Sequence, residues 1–202
     1  MIENYLLYFV DSETSGLCPI KNDVIELSFL RYDPDNIELQ EQKTWFMQPI
    51  NKDNIDAGAL RINGYKLEDL LWQTSFGRET FKDPNKVLVE IENWIAEDNC
   101  PAENRILVGH NVLFDKNMLE QLWNKCNARE TFPFGRRCLD TMMMELTLDL
   151  AKGKFAEGYS LNNLVKKYGV VNSKAHTASA DTLATKEVFE KQIAMLKKAL
   201  EK

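Results

Sequence analysis

The sequence lacks the features that mark several familiar classes of protein. Its cysteines, Cys18, Cys100, Cys126 and Cys138, are scattered singly, without the close pairs that zinc sites and redox motifs use, so we expect them to stay reduced. The early apolar run at residues 5–10 has no basic segment before it and ends at an acidic residue, which argues against a signal peptide or a membrane span. We therefore expect a cytoplasmic protein that has no membrane partner.

The chain also lacks a general excess of positive charge. Its 202 residues, 44% of them hydrophobic, contain no repeat or low-complexity tract, and we expect one domain over residues 1–202. The formal net charge of −6 argues against a protein that grips nucleic acid through a generally basic surface. Residues 151–202 nevertheless hold ten Lys and five acidic residues. This basic quarter is either a phosphate-facing side or the solvated face of terminal helices.

Hydrophobic periodicity predicts a mixed α/β order. Strands are predicted at residues 5–10, 23–33, 40–50 and 105–111, with a turn at Pro34-Asp35-Asn36. Helices are predicted at residues 83–97, 111–127 (capped by Asn111), 160–170 and 179–202, with two short ones within 54–72 and a short strand and helix within 136–150. The first three strands indicate an antiparallel meander, and the later alternation indicates a mixed sheet with helices on both faces. Ligands of such sheets bind at strand ends.

Two carboxylates follow the first apolar strand, in "FVDSETSG". Side chains two apart on a strand point to the same face, so Asp11 and Glu13 project together, roughly 7 Å apart along the strand. Two neighbouring anions need a counter-charge. The alternative is a solvated strand end that leads into a Ser-Gly turn.

Two further carboxylates lie at element ends. Asp115 falls in the opening turns of a predicted helix after a strand, and Asp181 falls early in the last helix. Because element ends beside strand termini can converge in the crevice of an open α/β sheet, we expect both to approach Asp11 and Glu13. Mg²⁺ or Mn²⁺ would relieve the repulsion of four carboxylates and provide an activity, since such ions prefer oxygen ligands.

The chain has two histidines, and their contexts differ. His176, in "AHTASAD", lies in a predicted loop five residues before Asp181, from which it could reach a metal cluster and take a proton from water. The alternative is a surface histidine without a role. His110, in "VGHNVLFD", is better explained as a hydrogen-bonding residue that fixes a strand-to-helix turn.

Three motifs in order resemble those of the DEDDh, or DnaQ-like, 3′ to 5′ exonucleases. They are "FVDSETSGL", "LVGHNVLFDKNML" and "AHTASADTLATKEVF", and "GALRINGYKLEDL", "CLDTMMM" and "YSLNNLVKKYGV" resemble the connecting segments of that family. The resemblance implies a ribonuclease H-like fold with a five-stranded mixed sheet flanked by helices. Each motif alone is weak evidence, and the ordered set is strong.

The resemblance also implies roles for individual residues. Asp11, Glu13 and Asp181 would hold one divalent ion, Asp11 would bridge to a second, and Asp115 would organise the second through water. His176 would be the general base, and the product would be a nucleoside 5′-monophosphate. Thr14 and Ser15 would contact the terminal nucleotide through backbone or hydroxyl groups and Leu17 would wedge against its base, or all three are simply turn residues.

The leading hypothesis is thus a two-metal exonuclease that acts on single-stranded or frayed 3′ ends, with DNA favoured. One alternative is a non-catalytic module that docks on a DNA polymerase, and another is an exoribonuclease that trims structural RNA. The catalytic motifs do not separate DNA from RNA, because that discrimination rests on contacts to the 2′-hydroxyl.

Overall fold

The computed structural model describes residues 5–34, 40–71, 81–126, 128, 130–172 and 174–201. Within these residues the chain forms five strands: β1 (Leu6–Thr14), β2 (Val24–Tyr32), β3 (Gln40–Phe46), β4 (Arg105–Gly109) and β5 (Cys138–Asp140). The same residues form α1 (Ala57–Asn63), α2 (Leu67–Leu71), α3 (Pro84–Ala96), a 3₁₀ turn (Ala102–Asn104), α4 (Val112–Lys125), α5 (Thr141–Ala151), α6 (Leu161–Tyr168) and α7 (Ala178–Leu200). None of these helices is long and apolar enough to cross a membrane.

The strands form one mixed sheet in the order β3-β2-β1-β4-β5. β1 pairs antiparallel with β2, which pairs antiparallel with β3, and this confirms the predicted meander. β1 also pairs parallel with β4, and β4 pairs parallel with β5. Asp35 and Asn36, in the predicted turn between β2 and β3, lie outside the described residues. β1 is therefore central, and its carboxyl end lies at the same edge of the sheet as that of β4.

Helices cover both faces of the sheet, as the sequence predicted. Val10 on one face of β1 packs in a cluster with residues of α3 and α4, among them Ile91 and Leu119. Phe9 on the other face packs with Phe189 of α7, their ring centroids 5.3 Å apart. Because side chains alternate along a strand, Asp11 and Glu13 continue the α7 face, and Ser12 continues the α4 face. Burial on both sides makes β1 a rigid base for whatever projects from its end.

The junction between β4 and α4 is tight, and α4 is capped by a residue that lies far away in the sequence. A Cβ atom on Gly109 would lie 2.9 Å from Val112 Cγ2, so only glycine fits this approach. Asn111 occupies the N-cap position with a φ of 61°, but its side chain makes no capping hydrogen bond, which corrects the predicted cap. Asp140 at the end of β5 does the capping instead, since its carboxylate accepts from the backbone N–H groups of Asn111 (3.2 Å) and Val112 (3.0 Å).

Candidate active site

Three of the predicted carboxylates meet beside the carboxyl end of β1. Ligand oxygens of Asp11, Glu13 and Asp181 all lie within 4.8 Å of one another. Asp11 and Glu13 project from the same face of β1, and Asp181 lies in the first turn of α7, which packs on that face. Residues separated by about 170 positions in the chain are thus brought together by strand periodicity and helix packing.

The fourth carboxylate, Asp115, lies next to this group without belonging to it. Among the described residues, the set of ligand atoms within 4.8 Å contains neither Asp115 nor His176. Asp115 in the first turn of α4 is buried and accepts a hydrogen bond from Ser12 Oγ at 2.7 Å. Ser12 points to the α4 face of β1, opposite to its neighbours Asp11 and Glu13. Its hydrogen bond to Asp115 therefore lies on that face.

The surroundings of Asp11, Glu13 and Asp115 disfavour the ionised forms of these three carboxylates. Burial, followed by the charges of Asp115 and Asp181, raises the pKa of Asp11 well above its ordinary value. Burial raises the pKa of Glu13 to about 7, with the charge of Glu26 as the next cause. The pKa of Asp115 is likewise raised to about 7, chiefly by burial.

No lysine or arginine of the described chain forms an ion pair with these four carboxylates. A divalent cation bound by oxygen ligands is the partner that such a donor set fits, because it would neutralise several carboxylates at once.

Glu26 adds a fifth carboxylate that the sequence analysis did not single out. It lies directly opposite Glu13 in the β1–β2 register and is buried, and the Tyr65 hydroxyl donates to its Oε2 at 2.5 Å. The signal was present in the sequence, because a charged residue inside the apolar strand "VIELSFL" needs a reason to be buried. Glu26 belongs to the environment of Glu13, and it is not among the three grouped ligands.

The segment before α7 holds Asp181 from both sides. His176 has a φ of 69°, in the left-handed region, and its backbone N–H donates to Asp181 Oδ2 at 3.0 Å. Asn172 Nδ2 donates to Asp181 Oδ1 at 2.5 Å. The imidazole of His176 is exposed in a loop that ends at the N-cap residue Thr177, as the sequence predicted for that loop.

His110 fixes the junction of two parallel strands. Its Nδ1 lies 3.0 Å from Thr141 Oγ1, which also donates to the Gly109 carbonyl at 3.3 Å. Burial lowers the pKa of His110, so the neutral ring is favoured. These contacts bear out the expectation that His110 has a hydrogen-bonding role at the turn.

Two of the three residues predicted to contact substrate form hydrogen bonds within the protein instead, at the end of β1 and in the loop after it. Thr14 Oγ1 donates to the Gly16 carbonyl at 2.8 Å, and Ser15 Oγ accepts from the Asp23 N–H at 2.9 Å. Both residues are buried, and the backbone N–H and carbonyl of Ser15 are bonded to Asp23 (2.8 Å) and Asp56 (2.7 Å), so in this conformation Ser15 offers no free group to a nucleotide. Leu17, in contrast, is 82% exposed and is free to touch a ligand.

Comparisons with known proteins place this site in a family. Residues 8–189 match the RNase_T family of exonucleases. The PolC-type DNA polymerase III of Staphylococcus aureus (strain bovine RF122 / ET3-1) is 26% identical over 187 residues, which cover 93% of this chain and 11% of that protein. A PolC-type DNA polymerase III of Staphylococcus epidermidis is 25% identical over the same share of each chain. The chain thus spans about a ninth of the length of these relatives.

Solved structures of nucleases resemble the fold. The zinc-bound complex of E. coli exonuclease I with single-stranded DNA aligns with a TM-score of 0.74 at 19% identity, over 96% of this chain and 41% of that one. Cell-death related nuclease 4 aligns with a TM-score of 0.75 at 14% identity, over 95% of this chain and 65% of that one.

A carboxylate cluster that could hold a metal ion thus lies at the end of the central strand of a ribonuclease H-like α/β fold. More particularly, the family match over most of the chain shows that the protein belongs to the exonuclease family. The resemblance to DnaQ-like exonucleases, the fold and the enzyme class predicted from the sequence are therefore confirmed.

Proposed function

We propose that the protein is a metal-dependent 3′ to 5′ exonuclease that releases nucleoside 5′-monophosphates, with DNA as the favoured substrate. The observation that carries the proposal is the group formed by Asp11, Glu13 and Asp181 on an exonuclease scaffold. Their crowding and the raised pKa of Asp11 and Glu13 support a role that needs a bound cation. The family match over residues 8–189 supports a single exonuclease domain over residues 1–202.

The donor set suits Mg²⁺ or Mn²⁺. Asp11, Glu13 and Asp181 would hold one ion, and Asp11 with Asp115 would hold a second, because Asp115 is close enough for its charge to raise the pKa of Asp11. Such ions supply Lewis-acid activation of water and stabilisation of the charge that develops on the scissile phosphate. The rigid end of β1 keeps the two carboxylates in register for this task.

His176 is the proposed general base. It would remove the proton from the attacking water, the task for which a nearly neutral imidazole is suited. Its ring is exposed, so this role requires the side chain to turn toward the carboxylates when substrate is bound. The backbone of His176 is already held at the site through its N–H bond to Asp181.

A single-stranded or frayed 3′ end is the proposed substrate. The similarity to an exonuclease I structure that contains single-stranded DNA supports this choice, and the exposed Leu17 beside the strand end offers an apolar contact for a terminal base. The PolC-type relatives support a DNA polymerase as a partner and a role in DNA proofreading or repair.

The test is a time course on matched DNA and RNA oligonucleotides labelled at the 5′ end, with Mg²⁺, Mn²⁺ or EDTA. We expect a metal-dependent ladder that shortens from the 3′ end, faster on DNA, and lost by at least about a thousandfold in Asp11→Ala. Asp53→Ala, an exposed acidic residue outside the cluster, is the matched control and should keep the full rate. A ladder on RNA alone would favour an exoribonuclease, and no ladder on either would favour a non-catalytic module.

A further inference from the structure

Both oxygens of Asp181 accept hydrogen bonds from the segment that precedes α7, and the contacts between described residues show no such pair of bonds to Asp11 or Glu13. The Oδ1 atom accepts from Asn172 Nδ2 at 2.5 Å, and the Oδ2 atom accepts from the backbone N–H of His176 at 3.0 Å. Both donors belong to the segment between the end of α6 at Tyr168 and the N-cap of α7 at Thr177, with His176 next to that N-cap. A planar carboxylate that is bonded at both oxygens has one fixed orientation, and it retains lone pairs for a cation.

The two ends of this segment are anchored differently. Val170, two residues before Asn172, is buried in a cluster with Ala184 and Val188 of α7. The preceding residues Lys167 and Tyr168 bond to Glu145 of α5. Residues 174–176, in contrast, are exposed. Asn172 therefore follows a buried anchor, whereas the exposed His176 end is held by the Thr177 hydroxyl, which donates to the Lys174 carbonyl at 3.0 Å, and by the bond of the His176 N–H to Asp181.

The amide of Asn172 is also oriented at a cost. Its Oδ1 is buried and has no hydrogen-bond partner among the described residues. A carboxylate only accepts, so the amide must turn its NH₂ group toward Asp181 and leave its oxygen unsatisfied. A buried polar atom left without a partner indicates that the opposite bond is the one that matters for this position.

We propose that Asn172 is a positioning residue that orients Asp181 for metal binding and, through Asp181, holds the backbone of His176 at the site. This inference rests on the proposed metal-dependent function. It assigns to Asn172 the task that hydrogen-bonding partners of metal ligands perform, whose removal typically weakens metal binding by about 10- to 100-fold.

The test compares Asn172→Leu, which keeps the branched four-atom skeleton and removes the donor, with Asn172→Ala. Asn162→Leu, on the exposed side of α6, is the matched control. The dissociation constant for Mn²⁺ alone is measured by calorimetry on protein that circular dichroism shows to be folded. We expect it to rise about tenfold in both Asn172 variants and not in the control. At saturating oligonucleotide, kcat should fall while KM stays within about twofold, because the lost contact acts on the reacting centre.

Asn172→Leu that is folded and binds Mn²⁺ as tightly as the unmodified protein would overturn the proposal. A variant that loses stability but keeps its metal affinity would likewise reduce Asn172 to a packing residue. Because the Mn²⁺ titration needs no substrate, it reports on Asn172 even if the unmodified protein shows no exonuclease ladder. Failure of the positioning role and failure of the proposed function are therefore distinguishable.

Discussion

Two acidic clusters in this molecule have opposite electrostatics. In the strand-end cluster (Asp11, Glu13, Asp115 and Asp181), burial and like charges raise the pKa of three members. The helix cluster consists of Glu145 and Asp149 on α5 with Lys167 on α6. Burial also opposes ionisation of Glu145, but hydrogen bonds from Lys167, Tyr168 and Gln192 outweigh it and hold its pKa below the ordinary value.

The difference separates a structural use of carboxylates from a functional one. Glu145 is fully buried, and its donors include Lys167 Nζ at 2.5 Å and Gln192 Nε2 at 2.9 Å. These contacts join α5, α6 and α7, so the charge is satisfied within the fold. The strand-end cluster has no such internal cation among the described residues. Hydrogen bonds reach Asp115 and Asp181, but a cation for this cluster would have to come from outside the described residues, which is the property expected of a metal site.

The largest expected effect on stability comes from breaking the helix cluster. Glu145→Ala removes a buried acceptor that three donors share. Lys167 and Gln192 keep their other acceptors, Asp149 Oδ1 (3.0 Å) and the Thr141 carbonyl (2.9 Å), whereas the Tyr168 hydroxyl loses the carboxylate that it faces. Because Lys167 stays 38% exposed and can rehydrate, we expect a loss of about 3 kcal/mol in the free energy of unfolding, at the low end of values for broken buried pairs. Urea denaturation measures it. Exonuclease activity per folded molecule should persist, since Glu145 lies outside the active site.

The matched control is Glu157→Ala. Glu157 is an exposed residue of the loop between α5 and α6, and its replacement should leave the free energy of unfolding unchanged. If Glu145→Ala were as stable as this control, the hydrogen bonds to Glu145 would not offset the burial of its charge. The contrast between the helix cluster and the strand-end cluster would then no longer hold.

An effect of opposite character is expected in the strand-end cluster without metal. The pKa of Glu13 is raised from 4.5 to about 7, so its contribution to stability is complete below pH 4.5 and is lost as the pH rises through about 7. Between these limits, the free energy of unfolding in EDTA should therefore fall by about 3 kcal/mol more in the unmodified protein than in Glu13→Gln. His110, with its lowered pKa, contributes the opposite slope in both proteins, so the difference between them is the relevant quantity.

Added Mn²⁺ should reverse this loss at pH 7.5 in the unmodified protein, because a bound cation favours the ionised carboxylates. Glu13→Gln should gain less from the ion. Parallel pH curves for the two proteins in EDTA would contradict the raised pKa of Glu13 and remove the contrast with Glu145.

The sequence predicted the mixed sheet and the carboxylates that converge at the end of β1, because strand periodicity and element ends follow local rules. Asp11 and Glu13 share a face for that reason. The sequence did not predict that Asp115 would bond to Ser12, since this depends on which helix packs on which face. Nor did it predict that Asp140 rather than Asn111 caps α4, or that Asn172 bonds to Asp181. Each of these contacts joins side chains whose distance is set only by tertiary packing.

The smallest expected effect concerns Glu26, which shares features with both the strand-end cluster and the helix cluster. It is buried opposite Glu13, as a member of the active-site environment, yet it has a hydrogen-bond donor of its own in Tyr65. Tyr65→Phe removes that donor and keeps the ring, which packs edge-to-face on Phe81 at a centroid distance of 5.3 Å. We expect a loss of about 1 kcal/mol in the free energy of unfolding, measured in EDTA at pH 8.

The same variant sharpens the comparison, because Glu26 and Glu13 are adjacent anions. If the Tyr65 hydroxyl stabilises the charge on Glu26, its removal should make the site more dependent on an external cation, and Mn²⁺ should then stabilise Tyr65→Phe at least as much as the unmodified protein. Phe81→Leu, which alters the same ring contact without touching the hydroxyl, is the control for packing. A Tyr65→Phe protein that is as stable as the unmodified one in EDTA would show that the Tyr65 hydroxyl does not stabilise the charge on Glu26.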